Sequence, residues 1–441
     1  MFSWLWRHIE PILFFIGVMV LVFGYGIAVE RYRVFPYDFV NAAAESARDW
    51  KDNWRHFLGV QSKWLQPTAQ TERITWRHPE RSWPGYTFFT AFHNGAWGAF
   101  LINMEGEVVH EWPFSLDEMW QVAGMPGEPD DTKIELSIHG AALLRNGDVI
   151  LNVNGGALTR LDRCGNYVYA IDINAHHAVD VLPDGTVLVP GRWIETERRA
   201  DRPGMLPGPT GHYRDHTIAW VSPKGELLEE QSIIDLMYQS GLGSLLFWGN
   251  GSTWVSAVAD PLHANDVEYL TEEMADAFPM FEAGDLLISL RNLATVAVLD
   301  GRTRRIKWYM TGPFFGQHDP DFLPNGNILV YDNRLTGDRP QMGYARVLEI
   351  DPRTREIVWE YVGTDQDPMY THYGGKAQVL PNDNVLAVEP QGGRIIEIAR
   401  GNGDDIVWQF VNLQEDGLVG EVFDGLRFAE DELEFVGQPC P

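Results

Sequence analysis

His318-Asp319-Pro320-Asp321-Phe322-Leu323-Pro324-Asn325-Gly326-Asn327-Ile328-Leu329-Val330 reads as a short strand, a tight turn and a second, apolar strand. Pro-Asn-Gly supplies the turn, since proline presets φ and glycine takes the positive φ that such a turn requires. The eight-residue step from His318 to Gly326 recurs from His177 to Gly185, through Leu182-Pro183-Asp184, and from His139 to Gly147, through Arg145-Asn146. His372 precedes Leu380-Pro381-Asn382-Asp383 at a longer step, and His263 precedes Gly284 with residues 271–280 inserted between. A sixth copy over residues 85–92 lacks the His.

Between these units lie hairpins over residues 99–112, 157–172, 217–233, 295–310, 345–361 and 394–410. Trp308, Trp359 and Trp408 sit on the second strands of three of them, at spacings of 51 and 49. Each repeat thus holds about four strands, and repeats of this size predict a six-bladed β-propeller, because one blade cannot bury both of its faces alone. Residues 426–436 are expected to pair with residues 85–92 and close the ring.

The chain has 441 residues, with 34 Lys and Arg against 62 Asp and Glu, a net charge of −28. Such a chain repels a phosphate backbone, which argues against nucleic acid as a partner and requires a local basic site for any anionic ligand. Two cysteines, Cys164 and Cys440, exclude a CxxC metal knuckle and leave one disulfide open. Residues 12–29 carry no charge over 18 positions, long enough for a membrane span; a cleaved signal is the alternative. Basic residues on both flanks give the positive-inside rule no grip. Residues 37–66 read as a helix with Phe39, Val40, Ala43, Ala47, Trp50, Trp54 and Leu58 on one stripe. The expected organisation is an anchor over 1–36, a helical stalk over 37–75 and the propeller over 76–441.

Inner strands of a propeller converge on its axis, so His139, His177, His263, His318 and His372 are expected to gather at one mouth of the channel. Gathered imidazoles can bind a metal, or can bind a tetrahedral oxyanion and attack it. The second use needs a cation, and Arg291, Arg334, Arg192 and Arg394 begin or end inner strands. Trp193, Phe314, Phe315 and Tyr373 are candidates to stack an aryl ring.

Several of these stretches resemble one family. They are His263-Ala264-Asn265-Asp266-Val267-Glu268, Ile288-Ser289-Leu290-Arg291-Asn292, Gln317-His318-Asp319 with Leu323-Pro324-Asn325-Gly326, and Tyr331-Asp332-Asn333. Pro84-Gly85-Tyr86-Thr87-Phe88-Phe89 and Gly393-Arg394-Ile395-Ile396-Glu397-Ile398 add to them. Together they are similar to the arylsulfotransferase (aryl-sulfate sulfotransferase-like) family over about residues 84–430. The resemblance implies sulfuryl transfer from an aryl sulfate to a phenol through a sulfurylated His, without a cofactor, in the periplasm. It implies sulfuryl-binding roles for His263 and His318, and an arginine role for which Arg291 and Arg334 compete. Residues 389–394 contain no His, which leaves His372 and His177 as candidate nucleophiles. The expected protein is then a single-pass membrane enzyme whose N-terminal helix contacts lipid and whose propeller lies outside the cytoplasm. Two other readings stay open: a non-catalytic propeller that scaffolds a membrane complex or binds a ligand, and a metal-dependent hydrolase or oxidoreductase using the His cluster.

Overall fold

The computed structural model describes residues 2–32, 34–37, 40, 62–129, 136–197, 199–202, 212–247, 260–334, 343–401, 403, 405–414 and 417–440. The chain divides into two compact units, Met1–Lys63 and Trp64–Pro441. The first contains the helix Phe2–Tyr32, whose stretch Pro11–Val29 has a mean hydropathy of 2.6 and is unburied. At 1.5 Å per residue those 19 residues reach about 28 Å, close to the thickness of a bilayer core. The helix expected over 37–66 falls almost wholly outside the described residues. At its end the structure has a strand instead, Leu65–Pro67, paired with Leu418–Gly420.

The second unit is a six-bladed β-propeller. Five blades are four-stranded antiparallel sheets, and the sixth gains a fifth, outer strand, Ile74–Trp76, from the residues expected as stalk. The ring closes as expected in kind but with a shifted register. Val422–Phe428 pairs with Tyr86–His93 and becomes the innermost strand of the first blade. Leu433 and Phe435, at the end of the run expected to pair, instead pack into the core between the first two blades.

The tryptophan periodicity has a packing cause. Trp112, Trp308 and Trp408 are buried on the fourth strands of their blades. Each donates its indole N–H to a carbonyl of the next blade, at Gly147 (2.8 Å), Pro352 (3.0 Å) and Met104 (3.0 Å). Each ring therefore fills the gap between two wedges and also fixes their angle; truncating one to Ala costs about 3–5 kcal/mol. A disulfide joins Cys164, in a turn of the second blade, to Cys440 near the C-terminus, with 5.6 Å between Cα atoms.

Candidate active site

The inner strands share one register, which shows which residues are equivalent. The turns that follow them begin at Leu144, Leu182, Leu270, Leu323 and Leu380, each accepting or donating the same turn hydrogen bond. Five residues before each stand His139, His177, Asn265, His318 and Gly375, and Phe423 holds that step in the strand paired with Tyr86–His93. The equivalence expected for His263 and His372 is therefore corrected. The insertion in the fourth blade and the longer step in the sixth hid the true counterparts, Asn265 and Gly375. Gly375 has φ 113°, and a Cβ there would lie 2.4 Å from the Tyr331 ring, so no His can occupy that place.

Six imidazoles nevertheless assemble at this mouth. His139 and His177 have ring centroids 4.1 Å apart, His177 and His263 5.1 Å, and His177 and His318 6.0 Å. His176 and His216 complete the group, 4.9 Å from each other. Backbone geometry aims two of them: His177 and His263 hold positive φ, 63° and 46°. That conformation is uncommon for a residue with a Cβ and costs on the order of 1–3 kcal/mol, so the surrounding packing must impose it.

Hydrogen bonds link the rings in series. His177 Nδ1 lies 2.7 Å from His176 Nδ1, His176 Nε2 lies 3.0 Å from His216 Nδ1, and His216 Nε2 lies 2.7 Å from Asp260 Oδ1. Asp260 Oδ2 meets His263 Nδ1 at 2.8 Å. His318 Nδ1 meets Asn333 Oδ1 at 2.7 Å, and both ring nitrogens of His139 are buried without a partner. Most of these ring nitrogens thus meet one another, a carboxylate or amide oxygen, or a backbone N–H. Among the described residues, no group of three or more His, Cys, Asp or Glu is arranged to hold a metal ion.

Burial sets the charge state. It holds His176, His177 and His318 well below the usual imidazole value, lowers His263, and brings His139 to about 3. Burial pushes Asp260 the other way, but His216 and His263 outweigh it and hold the carboxyl well below its ordinary range. His139, His176, His177, His263 and His318 are thus held toward the neutral form around the Asp260 carboxylate. Arg291 lies within electrostatic reach of His139, His263 and His318, and its Nε is buried without a partner. Neutral imidazoles beside a guanidinium can hold an oxyanion and attack its central atom.

The other expected residues lie elsewhere. His372 is exposed, with its Nε2 on the Tyr370 hydroxyl at 2.5 Å. The Arg334 guanidinium lies against Gly343. Arg394 is ion-paired with Glu389, and Phe314 is core. Trp193 is exposed, whereas Tyr373 stacks on Phe423, with centroids 5.8 Å apart, and Phe423 packs on His139 at 4.4 Å. Sequence reasoning missed His176, His216, Asp260 and Phe423. The doublet His176-His177 was the available signal for the first; the others carry no motif.

Further along the inner strands from the imidazoles, a cavity of about 830 Å³ is lined by Asp180, Asp266, Glu268 and Asp321, part of a ring of carboxylates. Most of these carboxylates clamp neighbouring blades. Asp424 accepts the N–H of Ala141 (2.8 Å), Asp319 that of Ala377 (2.7 Å), Asp180 that of Tyr269 (2.8 Å) and Glu268 that of Phe322 (2.6 Å). Lys376 pairs with Asp319 at 2.7 Å.

A structure described as a protein of unknown function from Bacteroides caccae is 15% identical, covering 78% of this chain and 100% of its own, with a TM-score of 0.49. Virginiamycin B lyase from Staphylococcus aureus is 12% identical over 63% of this chain and 71% of its own, with a TM-score of 0.35. The Dos1 propeller is 11% identical over 80% and 77%, with a TM-score of 0.39. These likenesses carry no functional argument. No curated protein matches the chain. The family model for arylsulfotransferase (ASST) matches residues 140–412, more than half of the sequence and all of the imidazole cluster except His139. The chain belongs to the arylsulfotransferase (ASST) family.

Proposed function

We propose that the protein is a membrane-anchored sulfotransferase that moves a sulfuryl group from an aryl sulfate to a phenol through a sulfurylated imidazole. The observation that carries this reading is the gathering of uncharged imidazoles beside Arg291 at one channel mouth of a chain in this family. A sulfuryl group needs a nucleophile with a free lone pair and donors for its oxygens, and the neutral state supplies the first at physiological pH. Arg291 holds the oxygens, and Phe423 with Tyr373 offers an aromatic wall for the aryl ring. Pro11–Val29 anchors the chain in the bilayer, and the disulfide fits a propeller exposed to an oxidising compartment.

The test mixes the purified full-length protein with 4-nitrophenyl sulfate and phenol and follows release of nitrophenolate. Phenol-dependent release, with phenyl sulfate as product and no nucleotide sulfate added, is expected. Absence of transfer from several aryl sulfates overturns the proposal. Protease accessibility in sealed vesicles of known orientation tests the side of the membrane.

A further inference from the structure

The hydrogen-bond chain through the imidazoles has a direction. Asp260 is a carboxylate ion and can only accept. It also receives the backbone N–H of His263 at 3.0 Å and the Arg214 guanidinium at 3.2 Å. His216 must therefore carry a hydrogen on Nε2, and in the tautomer that has its only hydrogen there Nδ1 is an acceptor. That nitrogen faces His176 Nε2, which must then donate, so His176 Nδ1 becomes an acceptor. It faces His177 Nδ1, which must donate in turn. At the end of the series His177 Nε2 is left with its lone pair.

The remaining rings are placed differently. His263 donates from Nδ1 to the other oxygen of Asp260 and keeps a lone pair on Nε2. His318 donates from Nδ1 to Asn333 Oδ1, because the Asn333 amide N–H group is held by Gly374 O at 2.8 Å. Its Nε2 accepts the Gly374 N–H at 3.2 Å and has no lone pair to offer. His139 has no hydrogen-bond partner that would orient it.

We propose that Asp260, acting through His216 and His176, fixes the tautomer of His177 so that its Nε2 is the nucleophile that takes the sulfuryl group. This rests on the sulfuryl-transfer reading above. The Nε2 lone pair forms the N–S bond while the S–O bond of the aryl sulfate breaks and its electron pair leaves on the phenolate. The sulfurylated ring is then a cation. Its Nδ1 proton shifts to His176, and the His176 Nε2 proton shifts to His216, so the positive charge ends beside Asp260. In the second half-reaction the acceptor phenol gives its proton to His263 Nε2 and its oxygen attacks sulfur. The N–S pair then returns to His177 and the two relay protons move back. His263 passes its proton to the first phenolate, directly or through water, so no net proton is consumed. Asp260, His216 and His176 are positioning residues in this scheme.

The test is single-turnover labelling of the full-length protein by an aryl sulfate, with the modified peptide located by mass spectrometry. The sulfuryl group is expected on His177. Asp260→Asn and His216→Phe should each slow its formation on the order of 10³- to 10⁴-fold with little change in aryl sulfate binding, the size seen when a catalytic imidazole loses its tautomer. The double variant should be no slower than either single one, because the residues act as one unit. His177→Gly supplemented with free imidazole should regain cleavage of the aryl sulfate, a readout that does not depend on the Asp260 variants folding. A label on another His, additive effects, or full-rate labelling of both variants overturns the relay while leaving sulfuryl transfer intact. A wild type that takes no label from any aryl sulfate overturns both.

Discussion

His318 accepts the backbone N–H of Gly374 on its Nε2 at 3.2 Å. The imidazole at the repeat position of the fifth blade therefore braces the loop that enters the sixth. Replacing it by Ala leaves a buried N–H unsatisfied, at a cost of about 1–3 kcal/mol. The expected result of His318→Ala is a lower melting temperature and slower turnover, with a sulfuryl label still reaching His177. A variant that melts normally but takes no label contradicts this assignment.

Arg291 and Arg334 separate in the same way. Arg291 lies among the imidazoles, whereas Arg334 lies against Gly343. If Arg291 holds the sulfuryl oxygens as charge develops, Arg291→Met should lower kcat/KM by about 10²-fold or more, the size of a lost oxyanion donor. Arg291→Lys should recover part of it, since a point charge replaces a planar fork. Arg334→Met should remain within a few-fold of wild type. Steady-state kinetics on the three variants decides between them.

The blade count, the ring closure and the three repeat-position imidazoles His139, His177 and His318 could be foreseen because repeats announce themselves at fixed spacing. What could not be foreseen was whatever departs from the repeat. His216 sits on the third strand of its blade, paired with Arg192, where no other blade has a His. His176 precedes a residue whose positive φ breaks the alternation on which face assignments depend. Asp260 has no motif and acts only through what folds against it. Phe423 reaches the site because the last strand becomes the inner strand of the first blade.

His139 provides a pH test. Burial brings its imidazole to about 3, while in the unfolded chain it titrates near 6.5. A base depressed on folding is neutral in the native state, so protonation of the unfolded chain withdraws stability as pH falls below about 6.5. For His139 alone the loss at pH 5 is about 2 kcal/mol. His139→Gln lacks this loss. Its melting temperature relative to wild type should rise on going from pH 7 to pH 5; a constant difference would show that His139 titrates normally.

Cys164 and Cys440 are 276 residues apart and are joined. A loop of that length stabilises by up to about 5 kcal/mol in the chain-entropy picture. Changing both to Ser, or reducing the bond, should lower the melting temperature of the propeller without altering single-turnover labelling, because the bond lies on an outer hairpin away from the imidazoles. A loss of labelling in the fully folded double variant would count against that separation.

Asp266 occupies the step at which Asp319 and Asp424 each accept an N–H from the next blade, at Ala377 and Ala141. The corresponding residue ahead of Asp266 is Pro320, which has no N–H, and Asp266 Oδ2 is buried without a partner. Burial, with Asp319 nearby, pushes its carboxyl well above the usual range. An acid raised on folding binds its proton more tightly in the native state, so its contribution to stability is lost as pH rises above about 3.9, the unfolded value. Asp266→Asn, a neutral analogue of the protonated acid, should match wild type near pH 4 and become progressively more stable than it toward pH 8. Pro320→Ala should act in the same direction by supplying the missing donor. Where Asp266 ionises, at the upper end of that range, a hydrogen bond to the charged acceptor adds about 1.5–3 kcal/mol, offset by about 1 kcal/mol of lost chain stiffness. Melting curves of both variants across that range test the sign, and a gap that narrows with rising pH would mean that Asp266 is already ionised in the folded protein.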